Sequence, residues 1–91
     1  MIAQKRDANE GDIVAAAKAA GAFVIPMDKS AGFDLLVIHR SGTHIVEVKN
    51  PARKWSLTRD EQKTERAVEK AGQFYNIVET AEDMLEVLGM K

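Results

Sequence analysis

Residues 33–49 read FDLLVIHRSGTHIVEVK, two strand-like apolar runs on either side of a short polar link. The runs cover residues 33–40 and 43–49, and Ser41-Gly42 separates them. A two-residue link that contains glycine predicts a β-hairpin when such runs flank it. Both faces of this hairpin carry apolar side chains, with Leu35, Val37, Val46 and Val48 on one face and Leu36, Ile38 and Ile45 on the other. That composition is typical of strands covered on both sides.

Helices and strands alternate around the hairpin. The predicted helices cover residues 10–20 with Asn9 as the cap, 59–71 after the capping-box residue Thr58, and the segment that follows Thr80. Further strands are predicted at 22–27, where Pro26 suggests a sheet edge, and at 73–78. A helix between two strands of one sheet normally joins parallel strands. The order α-β-β-β-α-β-α therefore predicts an α/β fold with a mixed β-sheet flanked by helices.

Length and composition limit the classes of protein that fit. The 91 residues suit a single domain, 1–91, and a chain this small often gains stability by forming a homodimer. There is no cysteine, which excludes disulfides and thiolate metal sites. No apolar run approaches the roughly 18 residues of a membrane span, and no signal-peptide pattern opens the chain. An intracellular protein is the expectation.

Basic residues concentrate in one part of the chain, although the formal net charge is only −1. Residues 49–66 contain six basic side chains against three acidic ones. A local basic patch can bind phosphates even in a protein that is neutral overall. The candidate nucleic-acid contacts are Arg53, Lys54, Arg59, Lys63 and Arg66. The alternative is a solvated loop and helix face with no ligand.

Three charged residues interrupt the apolar hairpin, namely Asp34, Glu47 and Lys49. Charged side chains inside a sheet cost free energy unless they are paired, neutralised or bound to a metal. Glu47 and Lys49 lie two apart on one strand, so they project from the same face. With Ser41-Gly42 as the turn, Asp34 lies opposite Lys49. In the same register Leu36 lies opposite Glu47, and opposed residues share a face. The hairpin therefore predicts that all three converge at the end away from its turn.

Two carboxylates and an amine in one place suit hydrolysis of a phosphodiester. Mg²⁺ and Mn²⁺ prefer oxygen ligands, and Mg²⁺ usually takes one or two protein carboxylates while it keeps several waters. A lysine beside them can orient or activate water and can stabilise charge on a phosphate. The alternative is structural, with a cross-strand salt bridge from Asp34 to Lys49 while Glu47 reaches solvent.

Two other features have simple explanations. His39 and His44 are predicted to oppose each other near the turn, and because no third ligand is evident we expect polar hairpin ends rather than a zinc site. Trp55 lies between the second hairpin strand and the second long helix. It could stack on a nucleobase, contribute to a dimer interface or pack beside Leu57.

An ordered set of motifs runs along the chain: GFDLLV at 32–37, IVEVK at 45–49, LTRDEQ at 57–62, and Gly72 before QFYNIV. This set resembles the VRR-NUC branch of the PD-(D/E)XK nuclease superfamily. The family pattern is a strand that starts like G-x-P-D, a strand with [I/V]-E-x-K, and a helix that begins near S/T-x-x-Q or with E-Q. The resemblance extends from Glu10 to about Leu88. Phe33 stands where the named motif has proline.

The resemblance implies a restriction-endonuclease-like core and a role for each matching position. Asp34 and Glu47 would bind the Mg²⁺ or Mn²⁺ ion, and the backbone carbonyl of Val48 would be a further ligand. Lys49 would act on the attacking water or on the phosphate.

Two further roles follow from the same resemblance. Gln62 would help to place the lysine, the water or the substrate, or it is a plain surface glutamine. Glu10 would reach the metal through water, or it serves only the dipole of its helix.

The resemblance also implies an activity and partners. The expected reaction is cleavage of DNA by an endonuclease that is specific for structure, acting on branched DNA such as Holliday junctions. Small stand-alone relatives resemble homodimers, and minimal phage-encoded forms are about this long, which suggests a phage or prophage origin. Two alternatives stay open: a DNA-binding module of the same fold that lacks catalysis, and a structural or partner-binding α/β protein whose charged cluster is a salt-bridge network.

Overall fold

The structure, a computed structural model, describes residues 8–91, which form one four-stranded sheet and three α-helices. The elements are α1 (Glu10–Ala19), β1 (Phe23–Pro26), a 3₁₀ turn (Lys29–Ala31), β2 (Leu35–His39), β3 (Gly42–Val48), α2 (Arg59–Lys70), β4 (Tyr75–Val78) and α3 (Ala81–Val87). The predicted domain begins at residue 1, and residues 1–7 lie outside the described residues.

The strand order in the sheet is β1-β2-β3-β4. Neighbouring strands are antiparallel from β1 to β3, whereas β3 and β4 are parallel and connected through α2. The predicted α/β class, the element order and the parallel crossover are confirmed. Pro26 ends β1 at the sheet edge, where its missing N–H disrupts no ladder. No helix within residues 8–91 has the length and apolar character that a membrane span requires.

The hydrophobic core lies between one face of the sheet and the helices α1 and α3. Alternate residues along each strand point to this face. The buried members are Val24, Leu35, Val37, Val46, Val48 and Val78 from the sheet, with Ile13, Ala17, Met84 and Leu88 from the helices. Burial of one such aliphatic side chain is worth roughly 1.5–3 kcal/mol for the larger residues. This layer therefore supplies most of the stability of a small domain.

The opposite face of the sheet is only partly covered. Leu36 and Ile45 are half-buried, whereas Ile38 is 40% exposed and Phe23, its neighbour on β1, is 64% exposed. The helix on this side, α2, has no fully buried residue. The apolar composition predicts that both faces of the hairpin are covered. The structure covers one face fully and the other only in part.

The predicted capping box of α2 is confirmed. The Glu61 amide donates to the Thr58 hydroxyl at 3.2 Å, and the Glu61 carboxylate accepts the Thr58 amide at 2.9 Å. Thr80 caps α3 in the predicted way by accepting the Asp83 amide at 3.0 Å. These side chains satisfy amide groups that a helix start leaves without partners.

Asn9 precedes α1 but does not cap it through its side chain. Its amide group instead donates to the carbonyl of Lys49 at 3.0 Å and to the carbonyl of Glu79 at 2.8 Å. Those two carbonyls follow the last residues of β3 and β4. The start of α1 is therefore tied to the ends of the two parallel strands, a tertiary contact that competes with local capping.

The predicted turn of the hairpin is wrong by one residue, and the predicted register is therefore wrong as well. The structure pairs His39 with Gly42, so Arg40 and Ser41 form the turn in place of Ser41-Gly42. His39 accounts for this shift, because its Nδ1 accepts the Ser41 amide at 3.1 Å and lies 2.8 Å from the Ser41 hydroxyl. Gly42 has a φ of 135°, which allows it to open β3 directly.

The shift changes partners but not faces. Leu36 pairs with Ile45 rather than with Glu47. Asp34 directly precedes the paired residues of β2, and its side chain accepts the Val48 amide instead of lying opposite Lys49 as predicted. Because the shift moves each partner by two residues, every side chain keeps its predicted side of the sheet. Glu47 and Lys49 therefore project from the same face with either of the two turns.

Gly32 allows us to predict a packing effect. It has a φ of 79°, and a Cβ placed there would lie 2.0 Å from the Thr64 hydroxyl oxygen and 3.3 Å from the Asp60 carbonyl oxygen. We expect Gly32→Ala to lower the free energy of unfolding by about 2–4 kcal/mol, since left-handed strain and overpacking add. Urea denaturation measures this change.

Gly21→Ala is the matched control. Gly21 has a φ of 92° but nothing lies within 4 Å of its Cβ position, so only the backbone strain of about 1–2 kcal/mol is expected. Equal destabilisation by the two substitutions would show that the contact between Gly32 and α2 is not tight.

Candidate active site

The Asp34 carboxylate is fixed at the start of β2. Its backbone amide donates to the Val46 carbonyl at 3.1 Å, and its own carbonyl accepts the Met27 amide at 2.8 Å. The side-chain Oδ2 then accepts the Val48 amide at 2.8 Å. Because a carboxylate takes the place of a backbone acceptor in the ladder, Asp34 is held against the end of β3.

A cleft of about 300 Å³ opens between this end of the hairpin and the start of α2. Its lining is rich in charged residues and comprises Lys29, Gly32, Phe33, Asp34, Glu47, Thr58, Asp60 and Glu61. The two carboxylates predicted from the hairpin, Asp34 and Glu47, thus share one cavity.

Lys49 is held between two carboxylates at this site. Its Nζ lies 3.3 Å from Glu47 Oε2 and 2.8 Å from Glu61 Oε1. Burial acts to lower the pKa of Lys49, but the hydrogen bond to Glu61 and the charge of Glu47 outweigh it and raise the pKa above its ordinary value. Lys49 is therefore a fixed ammonium cation. Its partners are Glu47 and Glu61, whereas the structural alternative paired it with Asp34.

Glu61 is the site residue that the sequence argument missed. Its Oε1 accepts both the Thr58 amide and the Lys49 ammonium group. Burial acts to raise the pKa of Glu61, but hydrogen bonds from Glu47, Lys49 and the Thr58 amide outweigh it and lower the pKa. The capping box identified Glu61 in the sequence, yet only as a signal for the start of a helix. Its second role needs α2 to be docked against β3.

Glu47 carries the strongest perturbation. The residue is 2% exposed, and its Oε1 has no hydrogen-bond partner among residues 8–91. Burial raises the pKa of Glu47 from its ordinary 4.5 to about 9, helped by a hydrogen bond with Glu61 and by the charge of Asp34, while Lys49 opposes the rise. A buried carboxyl with an unpartnered oxygen is costly, and such groups concentrate at functional sites.

Tyr75 on β4 contacts the segment that precedes Asp34. Its hydroxyl is buried and donates to the Gly32 carbonyl at 2.6 Å. Burial raises the pKa of Tyr75, and the negative charges of Glu47 and Glu61 raise it further. A phenol that stays neutral keeps this hydrogen bond, which holds the segment before Asp34 against the sheet.

The residues of the site fit a hard divalent cation. Within residues 8–91 no group of three or more His, Cys, Asp or Glu side chains is arranged to hold a metal ion. Mg²⁺ commonly needs only one or two carboxylates, with water and substrate oxygens as its other ligands. Glu47 and Asp34 supply such a pair of carboxylates in one cavity, and Glu47 Oε1 has no hydrogen-bond partner in the part of the chain that the structure describes.

The other predicted site residues are placed less centrally. Gln62 is exposed, and its side-chain amide donates to the Leu57 carbonyl at 3.0 Å, so Glu61 and not Gln62 contacts Lys49. Glu10 is half-buried at the start of α1, the helix end that Asn9 ties to β3 and β4. Val48 is the last residue of β3.

The predicted nucleic-acid contacts all lie on the surface. Each of these side chains is exposed. Two lie in the loop after β3, Arg53 and Lys54, and three lie at helical spacing on α2, Arg59, Lys63 and Arg66. His39 and His44 are not directly opposed as predicted. They share the Ser41 hydroxyl at 2.8 Å each, while His39 Nε2 contacts the Ala20 carbonyl at 3.0 Å.

No protein-family model matches the chain, and no curated protein sequence matches it either. The resemblance to the VRR-NUC branch stays a prediction from the ordered motifs of the sequence.

The pKa of Glu47 makes stability depend on pH. The folded protein keeps a proton that the unfolded chain releases above 4.5, so the free energy of unfolding falls as pH rises from 4.5 to about 9. The contribution is fully present below 4.5 and is lost above about 9, with a slope of at most about 1.4 kcal/mol per pH unit. We expect Glu47→Gln, which stays neutral, to flatten this decline in urea denaturation with EDTA present.

Glu69→Gln is the control for that series, since Glu69 is exposed near the end of α2. It should keep the wild-type slope. If the slope survived Glu47→Gln, the proton would belong to another group and Glu47 would be ionised in the folded protein.

Proposed function

We propose that this protein is a Mg²⁺- or Mn²⁺-dependent endonuclease that hydrolyses phosphodiester bonds in DNA. The observation that carries the proposal is the buried Oε1 of Glu47, which has no hydrogen-bond partner among the described residues 8–91. Glu47 shares a cleft with Asp34, and its other carboxylate oxygen contacts Lys49. Oxygen ligands and an adjacent cation are the groups that hydrolysis of a phosphodiester requires.

Asp34 and Glu47 would hold the divalent cation. When bound, the cation supplies a water of lowered pKa and neutralises charge on the phosphate. A positive ion beside Glu47 also favours its carboxylate form, which removes the cost of burying that group. The Val48 carbonyl and Glu10 belong to this proposal through the family resemblance alone.

Lys49 would donate a hydrogen bond to the attacked phosphate or to the water. Its Nζ is fixed by two carboxylates, so little side-chain entropy is lost when substrate binds. Glu61 acts as a positioning residue for that amine. Lys29, which lines the same cleft, adds a second cation that could face a phosphate oxygen.

The surface cations would hold the rest of the DNA. Five exposed basic residues flank the cleft in sequence, on the loop after β3 and on α2. Contacts with phosphates position DNA without reading its sequence. Preference for branched DNA or Holliday junctions, assembly as a homodimer and a phage origin are further parts of the proposal, which the resemblance and the small size of the chain support.

A structural ion-pair network is the second candidate, because Lys49 does pair with two carboxylates. The excess of negative charge around the cleft argues against a purely structural network. Four carboxylates line the cleft, Asp34, Glu47, Asp60 and Glu61, against Lys29 in the lining and Lys49 beside it. One buried oxygen of Glu47 has no hydrogen-bond partner within residues 8–91. A network selected for stability alone would leave no such group, since replacement by apolar residues costs less.

We expect purified protein to cut branched or flapped DNA with Mn²⁺ or Mg²⁺ and to lose this activity in EDTA. Asp34→Asn and Lys49→Ala should each lower the cleavage rate by at least about 100-fold, since each removes charge stabilisation at the reacting phosphate. Lys70→Ala, at the far end of α2, is the control and should cleave at the wild-type rate.

Calorimetry with Mn²⁺ separates the alternatives. Binding to the wild type and none to Asp34→Ala would support the site, and it should be measured both with and without DNA. Tight DNA binding without cleavage in either metal would favour the binding module. A protein that bound neither metal nor DNA would be the ion-pair network.

A further inference from the structure

Trp55, the only tryptophan of the chain, stands in the loop between β3 and α2. Its indole Nε1 donates to Glu79 Oε2 at 2.9 Å, yet the residue remains 40% exposed. The hydrogen bond anchors the edge of the ring to the segment after β4. With 40% of its surface exposed, the residue still presents aromatic area to solvent beyond this anchored edge.

The Trp55 ring lies beside Lys49 of the candidate active site. Lys49 Nζ lies over it, 5.9 Å from its centroid, within the range of a cation–π contact. The same Nζ contacts Glu47 and Glu61 at the cleft. One amine thus links the open aromatic surface to the place where the reacting phosphate is proposed to bind.

The charge around Trp55 distinguishes it from the other exposed aromatic residues. Arg53 and Lys54 directly precede it, and both are exposed. Phe74 is more exposed, at 82%, but it lies far from Lys49. It precedes β4 at the end of the parallel pair where Tyr75 lies beside Ile45. The Lys49 amide donates to the Val78 carbonyl at the opposite end of that pair. Aromatic rings interleaved with basic residues are typical of surfaces that bind single-stranded nucleic acid.

We propose that Trp55 is a stacking platform for an unpaired nucleobase on the strand whose phosphate lies at Lys49. This inference rests on the proposed nuclease function and narrows its substrate. A base inside a duplex is stacked on both sides and cannot offer a face to the indole. The substrate class is therefore DNA with unpaired bases next to the cut, such as flaps, gaps and the opened strands of a junction.

The single tryptophan makes the test direct, because its fluorescence reports on Trp55 alone. The probe is a short oligothymidylate, titrated in EDTA so that no cleavage intervenes. An oligomer of the same length made of abasic deoxyribose phosphates is the matched ligand, since it keeps the phosphates and lacks the bases. We expect the oligothymidylate to quench the indole and to bind about tenfold more tightly than the abasic oligomer, which should not quench.

Two substitutions separate stacking from loop support. Trp55→Ala should lower affinity for the oligothymidylate about tenfold, measured by anisotropy of a labelled strand, and should leave affinity for the abasic oligomer unchanged. Trp55→Phe loses the hydrogen bond to Glu79 but keeps an aromatic face, so it should retain most of the affinity. Phe74→Ala, which removes an exposed aromatic residue at the other end of the sheet, should bind both ligands like the wild type.

Equal affinity of the wild type for both ligands, with no quenching, would overturn the inference. A loss of affinity for both ligands in Trp55→Ala would also overturn it, because the ring would then only support the loop. These failures are distinct from failure of the nuclease proposal. Cleavage without quenching removes the platform and leaves the enzyme, whereas quenching without cleavage in Mn²⁺ leaves a base-binding site and removes the enzyme.

Discussion

Burial of the Glu47 carboxyl at the end of a central strand is the constraint around which the rest of the site is arranged. Burial raises the pKa of Glu47, and the neighbouring carboxylates Glu61 and Asp34 raise it further against the opposing effect of Lys49. One oxygen of Glu47 has no hydrogen-bond partner in the described part of the chain. A domain of this size has little stability to spare. A costly group kept in its centre supports the proposal that a hard cation binds there and removes the cost.

Lys49, which contacts Glu47, also receives contacts from the segment before α1, from β4 and from α2. Asn9 of the segment before α1 donates to the Lys49 carbonyl, and the Lys49 amide donates to Val78 of β4. Glu61 of α2 accepts the ammonium group. Each of these contacts satisfies a polar group that a strand end or a helix start would otherwise leave exposed. The same contacts fix the position of the amine, so stability and preorganisation of the candidate site have a common origin.

The two faces of the sheet serve different purposes. One is a continuous apolar layer beneath α1 and α3, and it holds the domain together. The other is incompletely covered, and α2 contributes no buried residue to it. The first turn of α2 contacts the sheet through Glu61 and Lys49, and beside that contact lies the cleft that Thr58, Glu61 and Asp34 line. An open second face is thus the structural condition for a site at that end of the hairpin.

The amino-acid sequence alone was enough for the elements, the α/β class and the shared side of Asp34, Glu47 and Lys49. These depend on local propensity and on a side-chain period of two, which a shifted turn does not alter. The actual register needed a contact from His39 into its own turn. Glu61 and Trp55 contact Lys49 only because α2 and the loop before it dock near the end of β3. Those contacts are long-range, and no local pattern encodes the path of a loop through space, so only the tertiary structure decided them.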